Sequence, residues 1–201
     1  MPCTAVNVSS VQFRSSDFAD FVLERIAIHG IPAESVELEF TESVFLDASD
    51  ENLGVISRLS EQGIRFSIDD FATGFSSLAY LRKFQVDKLK IDRTFVQHMV
   101  KGPNDVEIVR ATLALGRALG LTTLAEGVET QAQAELLLEL GCAQAQGYYF
   151  GRPMSAEVNS ERLIEQRRDA VGGAADTAES SGRSTAQLRD RASGPRSVVP
   201  I

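Results

Sequence analysis

The feature that most constrains this chain is a regular alternation. Short apolar or β-branched runs occur at residues 5–8, 36–40, 64–68, 86–91, 121–125 and 143–148. Most are followed by a stretch with helical period. Phe18, Phe21, Val22 and Ile26 form one apolar stripe, and Gly30 stands at its end. Leu53, Ile56 and Leu59 form a second, closed by Gly63. A helix over about 104–119 carries Ile108, Ala111, Leu115 and Leu119, then Gly120. Others are expected over 130–140, before Gly141, over 155–169, and as a short piece near 76–84. Strand–helix units spaced roughly 30 residues apart imply a parallel sheet with right-handed crossovers. About six such units are present, where a closed (β/α) barrel takes eight. The expectation is an open six-stranded sheet or a barrel without its first quarter. The first strand begins only a few residues after Met1, which favours the second.

The pattern ends late. From Ala170 to Ile201 there is no aromatic residue, and Gly, Ala, Ser and Pro fill 17 of 32 positions. Such a segment buries too little apolar surface to offset its ordering entropy. The expected organisation is a folded part over 1–169 and a disordered tail over 170–201. The acidity lies in the folded part: residues 1–160 carry net −9, the rest +1. That argues against a nucleic-acid or anionic-membrane surface, but not against an anionic ligand held through metal ions. Cys3 and Cys142 make neither a metal motif nor a disulfide framework, and a reducing cytoplasm is expected. Neither a membrane span nor a signal peptide is legible.

In an all-parallel α/β fold the chemistry collects at the C-terminal ends of the strands. Those ends carry Asn7, then Glu39 and Glu42, then Asp69 and Asp70, then Lys90 and Asp92, then Glu126 and Glu129, and finally Gln146. One polar residue there would mean little, since Asp and Asn commonly start the next helix. Six strands in succession form a pattern. Carboxylates and an amide oxygen are hard ligands, suited to Mg²⁺, Mn²⁺ or Ca²⁺. Crowded in one mouth they would repel each other unless cations neutralised them. Asp69 and Asp70 could each ligate one ion, and two metals about 3.5–4 Å apart serve phosphodiester hydrolysis. Lys90 could bond the attacking water or a phosphate oxygen, or form a salt bridge to Asp92 or Asp69. A purely structural ion network is the competing reading. Arg152-Pro153 could meet a phosphate or base, or form a surface turn.

Other chemistries recede. His29 stands at a helix end, where it serves the dipole, and His98 is expected on the surface. Two histidines leave little room for zinc motifs. Ser9, Ser76 and Ser77 lack a triad pattern, and no phosphate-binding Gly-Lys loop occurs.

Taken together, Ala5-Val6-Asn7-Val8-Ser9, Glu39-Phe40-Thr41-Glu42-Ser43, Asp69-Asp70-Phe71-Ala72-Thr73-Gly74-Phe75-Ser76-Ser77-Leu78, Lys88-Leu89-Lys90-Ile91-Asp92-Arg93, Ala125-Glu126-Gly127-Val128-Glu129-Thr130 and Gln146-Gly147-Tyr148-Tyr149-Phe150 resemble the EAL-domain phosphodiesterases of bacterial cyclic di-GMP signalling. The likeness runs from about Ala5 to Arg168. It implies a TIM-like barrel with one reversed strand, present here as about six β/α units. It implies hydrolysis of cyclic di-GMP to linear pGpG with two Mg²⁺ or Mn²⁺ ions. By resemblance Asn7, Glu39, Asp69, Asp70 and Glu126 are metal ligands. Lys90 positions the water, Gln146 supports the water and metal network, and Glu42 holds the loop after Asp70. Asp92, Arg152 and Pro153 are assigned to substrate. The loop 71–78 contributes to a homodimer.

Two departures stand out. The Glu-Ala-Leu string that names the family, whose glutamate is a metal ligand, is absent, as expected of a truncated barrel. Ala72 stands where the family usually has Gly; a positive φ there would cost about 1 kcal/mol. Three readings follow: an enzyme module, a degenerate domain that binds cyclic di-GMP or a protein without turnover, and a fragment that does not fold alone.

Overall fold

The computed structural model describes residues 3–45, 50–72, 81, 83–161 and 164. It divides into two compact units, 1–151 with 196–201, and 152–195. In the second unit the described residues include a helical turn over 156–161, where Val158 N donates to Ser155 Oγ at 3.5 Å. The tail expected over 170–201, most of the loop 71–78 and most of the short helix near 76–84 lie outside the described residues.

The first unit holds β1 (Thr4–Val8), α1 (Ser10–Phe13), α2 (Phe18–Ile28), β2 (Val36–Thr41), α3 (Glu42–Phe45), α4 (Asp50–Glu61), β3 (Arg65–Phe71), β4 (Lys88–Ile91), α5 (Arg93–His98), α6 (Pro103–Leu119), β5 (Thr122–Ala125), α7 (Gln131–Glu139) and β6 (Gln144–Ala145). The six strands form one sheet in the order β1-β2-β3-β4-β5-β6, and every pairing is parallel. Six β/α units of an open, TIM-like barrel are therefore present, with β1 and β6 at the edges of the described sheet. The reversed strand implied by the resemblance is not among them.

Local chemistry sets the boundaries. Ser9 and Gln12 form a capping box at α1, and Thr130 and Gln133 another at α7. Pro103 opens α6, and Gly120 closes it at φ +72. Partners in a parallel register face the same side of a sheet. Leu38, Phe40, Phe66, Ile68, Leu89 and Ile91 are all buried and turn toward the helices. Phe40 and Phe66 stack with ring centroids 5.9 Å apart. The residues between them, Glu37, Glu39, Arg65, Ser67, Lys88 and Lys90, occupy the opposite face.

Two helix stripes differ from expectation. Phe21 is exposed and lies under the Arg25 guanidinium, 5.4 Å from the ring centroid. On α6 the buried side is Val109, Thr112, Leu113 and Gly116, while Ala111 is exposed. The cause is close approach: a Cβ on Gly116 would stand 2.4 Å from Thr123 Cγ2 on β5. The helix comes closest to the sheet at Gly116, and of the expected row Leu115 and Leu119 are half-buried against the core.

Candidate active site

β3 carries the decisive irregularity. Its register against β4 shifts between Ile68 and Phe71, so one extra residue is inserted there. Asp70 within this bulge has φ +53, and Ala72 just beyond has φ +74. Asp70 N donates to Asp69 Oδ1 at 3.0 Å. The bulge turns two consecutive carboxylates to the same end of the sheet. Oxygens of Asp69, Asp70 and Glu126 lie within 4.8 Å of one another.

Lys90 sits among these acids, 3% exposed. Its Nζ donates to Glu39 Oε2 at 2.6 Å and lies 2.7 Å from Glu126 Oε1 and 3.2 Å from Asp69 Oδ1. Of the two sequence-level partners, Asp69 is therefore real. Asp92 instead caps α5, accepting from Thr94 N at 2.9 Å and from Thr94 Oγ1, and shares a hydrogen bond with Asp70. Gln146 Nε2 donates to Glu126 Oε1 at 2.7 Å. Asn7 is exposed on β1, in register with Glu39 on β2.

The electrostatics follow from this crowding. Burial would lower the Lys90 ammonium, but Glu126 and Glu39 overcome it and hold its pKa well above the usual lysine range. Burial, with the negative charges of Asp69 and Glu39, pushes Glu126 up to about 7 against the opposing pull of Lys90. Burial, a hydrogen bond that the Asp70 carboxyl donates to Asp92, and the charge of Asp69 raise Asp70. For Asp92, burial is outweighed by the Thr94 hydrogen bonds, and its pKa falls. One ammonium does not balance the surrounding carboxylates. A hard divalent cation fits the Asp69, Asp70 and Glu126 oxygens by donor type and spacing.

Glu42 opens α3, and among the described residues neither of its buried carboxylate oxygens has a partner. The loop it was expected to hold lies outside those residues. Arg152 and Pro153 are exposed residues of the second unit. Sequence reasoning missed a second ion pair on the same sheet face: Lys88 Nζ donates to both Glu37 oxygens, at 2.8 and 2.6 Å. Its signal was present, since Glu37-x-Glu39 and Lys88-x-Lys90 repeat at the strand period of two. No described helix is long and apolar enough to cross a membrane.

MucR of Pseudomonas aeruginosa, a bifunctional diguanylate cyclase/cyclic di-GMP phosphodiesterase, is 44% identical over 153 residues, covering 76% of this chain and 22% of MucR. A solved MucR phosphodiesterase complex with cyclic di-GMP superposes with TM-score 0.74 at 44% identity, covering 77% of this chain and 63% of that one. The crystal structure of the EAL domain of Mycobacterium smegmatis DcpA gives TM-score 0.77 at 39% identity, covering 81% and 73%. Klebsiella pneumoniae BlrP1, 30% identical with TM-score 0.69 over 75% of this chain and 39% of its own, was solved with calcium or manganese and cyclic di-GMP. The chain spans about a fifth of the length of the curated relatives it matches. The EAL domain profile matches residues 1–153, and the chain belongs to that family.

Proposed function

We propose that this chain carries most of the catalytic centre of a cyclic di-GMP phosphodiesterase, converting the cyclic dinucleotide to linear pGpG. The observation that carries the reading is Lys90 held at hydrogen-bond distance between Glu39 and Glu126, beside Asp69 and Asp70. Asp69, Asp70, Glu126, Glu39 and Asn7 would hold two Mg²⁺ or Mn²⁺ ions. Bound there, such ions polarise the phosphate and lower the pKa of a coordinated water.

The chain's own residues do the rest. Lys90, charged and fixed by two carboxylates, holds the attacking water in line through a donated hydrogen bond. Gln146 orients Glu126 by donating to its Oε1. Glu42 offers two free oxygens to the loop after Asp70, and through the loop 71–78 to a second copy of the chain. Asp92 is taken as a substrate contact, and Arg152 and Pro153, on the second unit, keep their assignment to substrate from the resemblance alone. The catalytic domain runs over 1–169, with 170–201 as a tail outside it. Free Cys3 and Cys142 accord with a cytoplasmic setting.

Binding without turnover is the second reading. Turnover with Mg²⁺ and then Mn²⁺, read as pGpG by chromatography, separates the two. Product that disappears in Asp69→Asn establishes the enzyme. Cyclic di-GMP binding by folded protein without product establishes the binding module.

A further inference from the structure

The Glu37–Lys88 pair lies one step below the site and does no chemistry there. It is nonetheless built with care. Glu37 is 2% exposed, and both its oxygens rest on Lys88. The partners stand on β2 and β4, which are not neighbours; β3 runs between them. The register places Ser67 of β3 opposite both Glu39 and Lys88. Glu37 lies opposite Arg65, so Lys88 leans back one step to reach it. Lys90 leans back in the same way to reach Glu39. The two lysines therefore bridge β3 on either side of Ser67, which is fully buried and whose Oγ has no partner among the described residues. A small side chain leaves the space that both bridges need.

We infer that Glu37 and Lys88 are positioning residues, with Ser67 as their spacer: the lower bridge fixes β2 against β4 so that Lys90 meets Glu39 at a single geometry. The β3 bulge makes such a device necessary. It loosens the β3–β4 register exactly where Asp69 and Lys90 must meet, and direct strand pairing no longer fixes their separation. A second bridge of the same reach, two residues lower on both strands, restores that constraint. A buried ion pair is weak evidence for stability but a fair candidate for setting register. The inference rests on the phosphodiesterase reading for its kinetic consequence, and not for its structural one.

The test uses the double variant Glu37→Leu/Lys88→Leu, because paired apolar replacement of a buried ion pair commonly keeps stability. A melt within a few degrees of the parent qualifies it; otherwise Glu37→Gln/Lys88→Met takes its place. Two readouts follow. The first is the ¹⁵N signal of the Lys90 ammonium, visible when its protons are held in fixed hydrogen bonds. We expect it sharp in the parent and broadened or lost in the double variant. The second is turnover of cyclic di-GMP, with kcat lowered about tenfold and KM little changed, the signature of a misplaced group. An unchanged Lys90 signal overturns the inference, as does an unchanged kcat. A parent without turnover sinks the phosphodiesterase reading alone, and the ammonium signal still decides this one. Ser67→Val, which fills the gap between the bridges, is expected to broaden the same signal.

Discussion

The two faces of the sheet are built from the same strands by alternate residues, yet they obey different rules. On the helix side Phe40, Phe66, Ile68, Leu89 and Ile91 are packed out of water, and the interaction is non-directional. On the other side Glu37, Glu39, Asp69, Lys88, Lys90 and Glu126 are held by directed contacts of 2.6–3.2 Å. The first face tolerates exchange of shape but not loss of volume. The second tolerates little change of charge and answers to protons and cations. Fold and function therefore share a backbone and separate by side.

Phe66→Ala breaks the first face. It removes a fully buried ring that stacks on Phe40, and we expect a loss of ~3–5 kcal/mol in urea unfolding that added Mn²⁺ does not specifically repair. Lys90→Met breaks the second by a comparable ~3–5 kcal/mol, because it leaves Glu39, Asp69 and Glu126 buried without their cation. Here Mn²⁺ should recover much of the stability, since it binds the folded form and replaces the missing charge. Turnover stays lost. Equal rescue of both variants by Mn²⁺ would show that the faces are not energetically distinct.

The same division explains what the sequence revealed. Parallel strands put their C-terminal ends together, so Glu39, Lys90 and Glu126 could be assigned to one end of the sheet from their place at the ends of successive strands. The helices were harder to read. On α6 aliphatic residues occur on several sides: Val109 and Leu113 are buried, Leu115 and Leu119 half-buried, and the closest approach to the sheet is at Gly116, which carries no hydrophobic signal. Phe21 is apolar at the right spacing, yet it faces water under Arg25. The bulge left no composition signature either. Asp69 and Asp70 could be placed at the strand end and paired as ligands from the sequence, but strict alternation would put them on opposite faces, and the inserted residue that brings both carboxylates to one site was not legible. Asp92 had two competing uses, and only the structure shows that it caps α5 while bonded to Asp70.

A smaller effect sharpens the comparison by pH. Glu126 titrates near 7 in the folded protein against an ordinary 4.5. Folding therefore favours its protonated form. Its contribution is fully present below about pH 4.5 and is lost as pH rises through 7, amounting to ~3 kcal/mol at most. In metal-free protein, stability measured from pH 4.5 to 8 should fall more steeply in the parent than in Glu126→Gln. Parallel profiles would mean that Lys90 already neutralises this carboxyl. Helix-side substitutions such as Ile68→Val should leave the slope untouched, because the described strand residues on that face carry no titrating group.

The smallest expected effect lies at the junction of the faces. Ala72 follows the last residue of β3 with φ +74, a conformation in which a Cβ costs about 1 kcal/mol. Its methyl also packs against the apolar core, which offsets part of that cost. Ala72→Gly should therefore raise the melting temperature by at most about 2–4 °C. Asp70, two residues earlier, also has a positive φ, but a short polar side chain tolerates it, so Asp70→Gly should gain less there while removing a site carboxylate. Together the two variants separate backbone strain from chemistry. If Ala72→Gly stabilises and leaves turnover intact, the strain belongs to the route the chain takes out of the bulge. If turnover changes with it, the backbone beyond the bulge helps aim the carboxylates, and the line between the two faces runs through Ala72 itself.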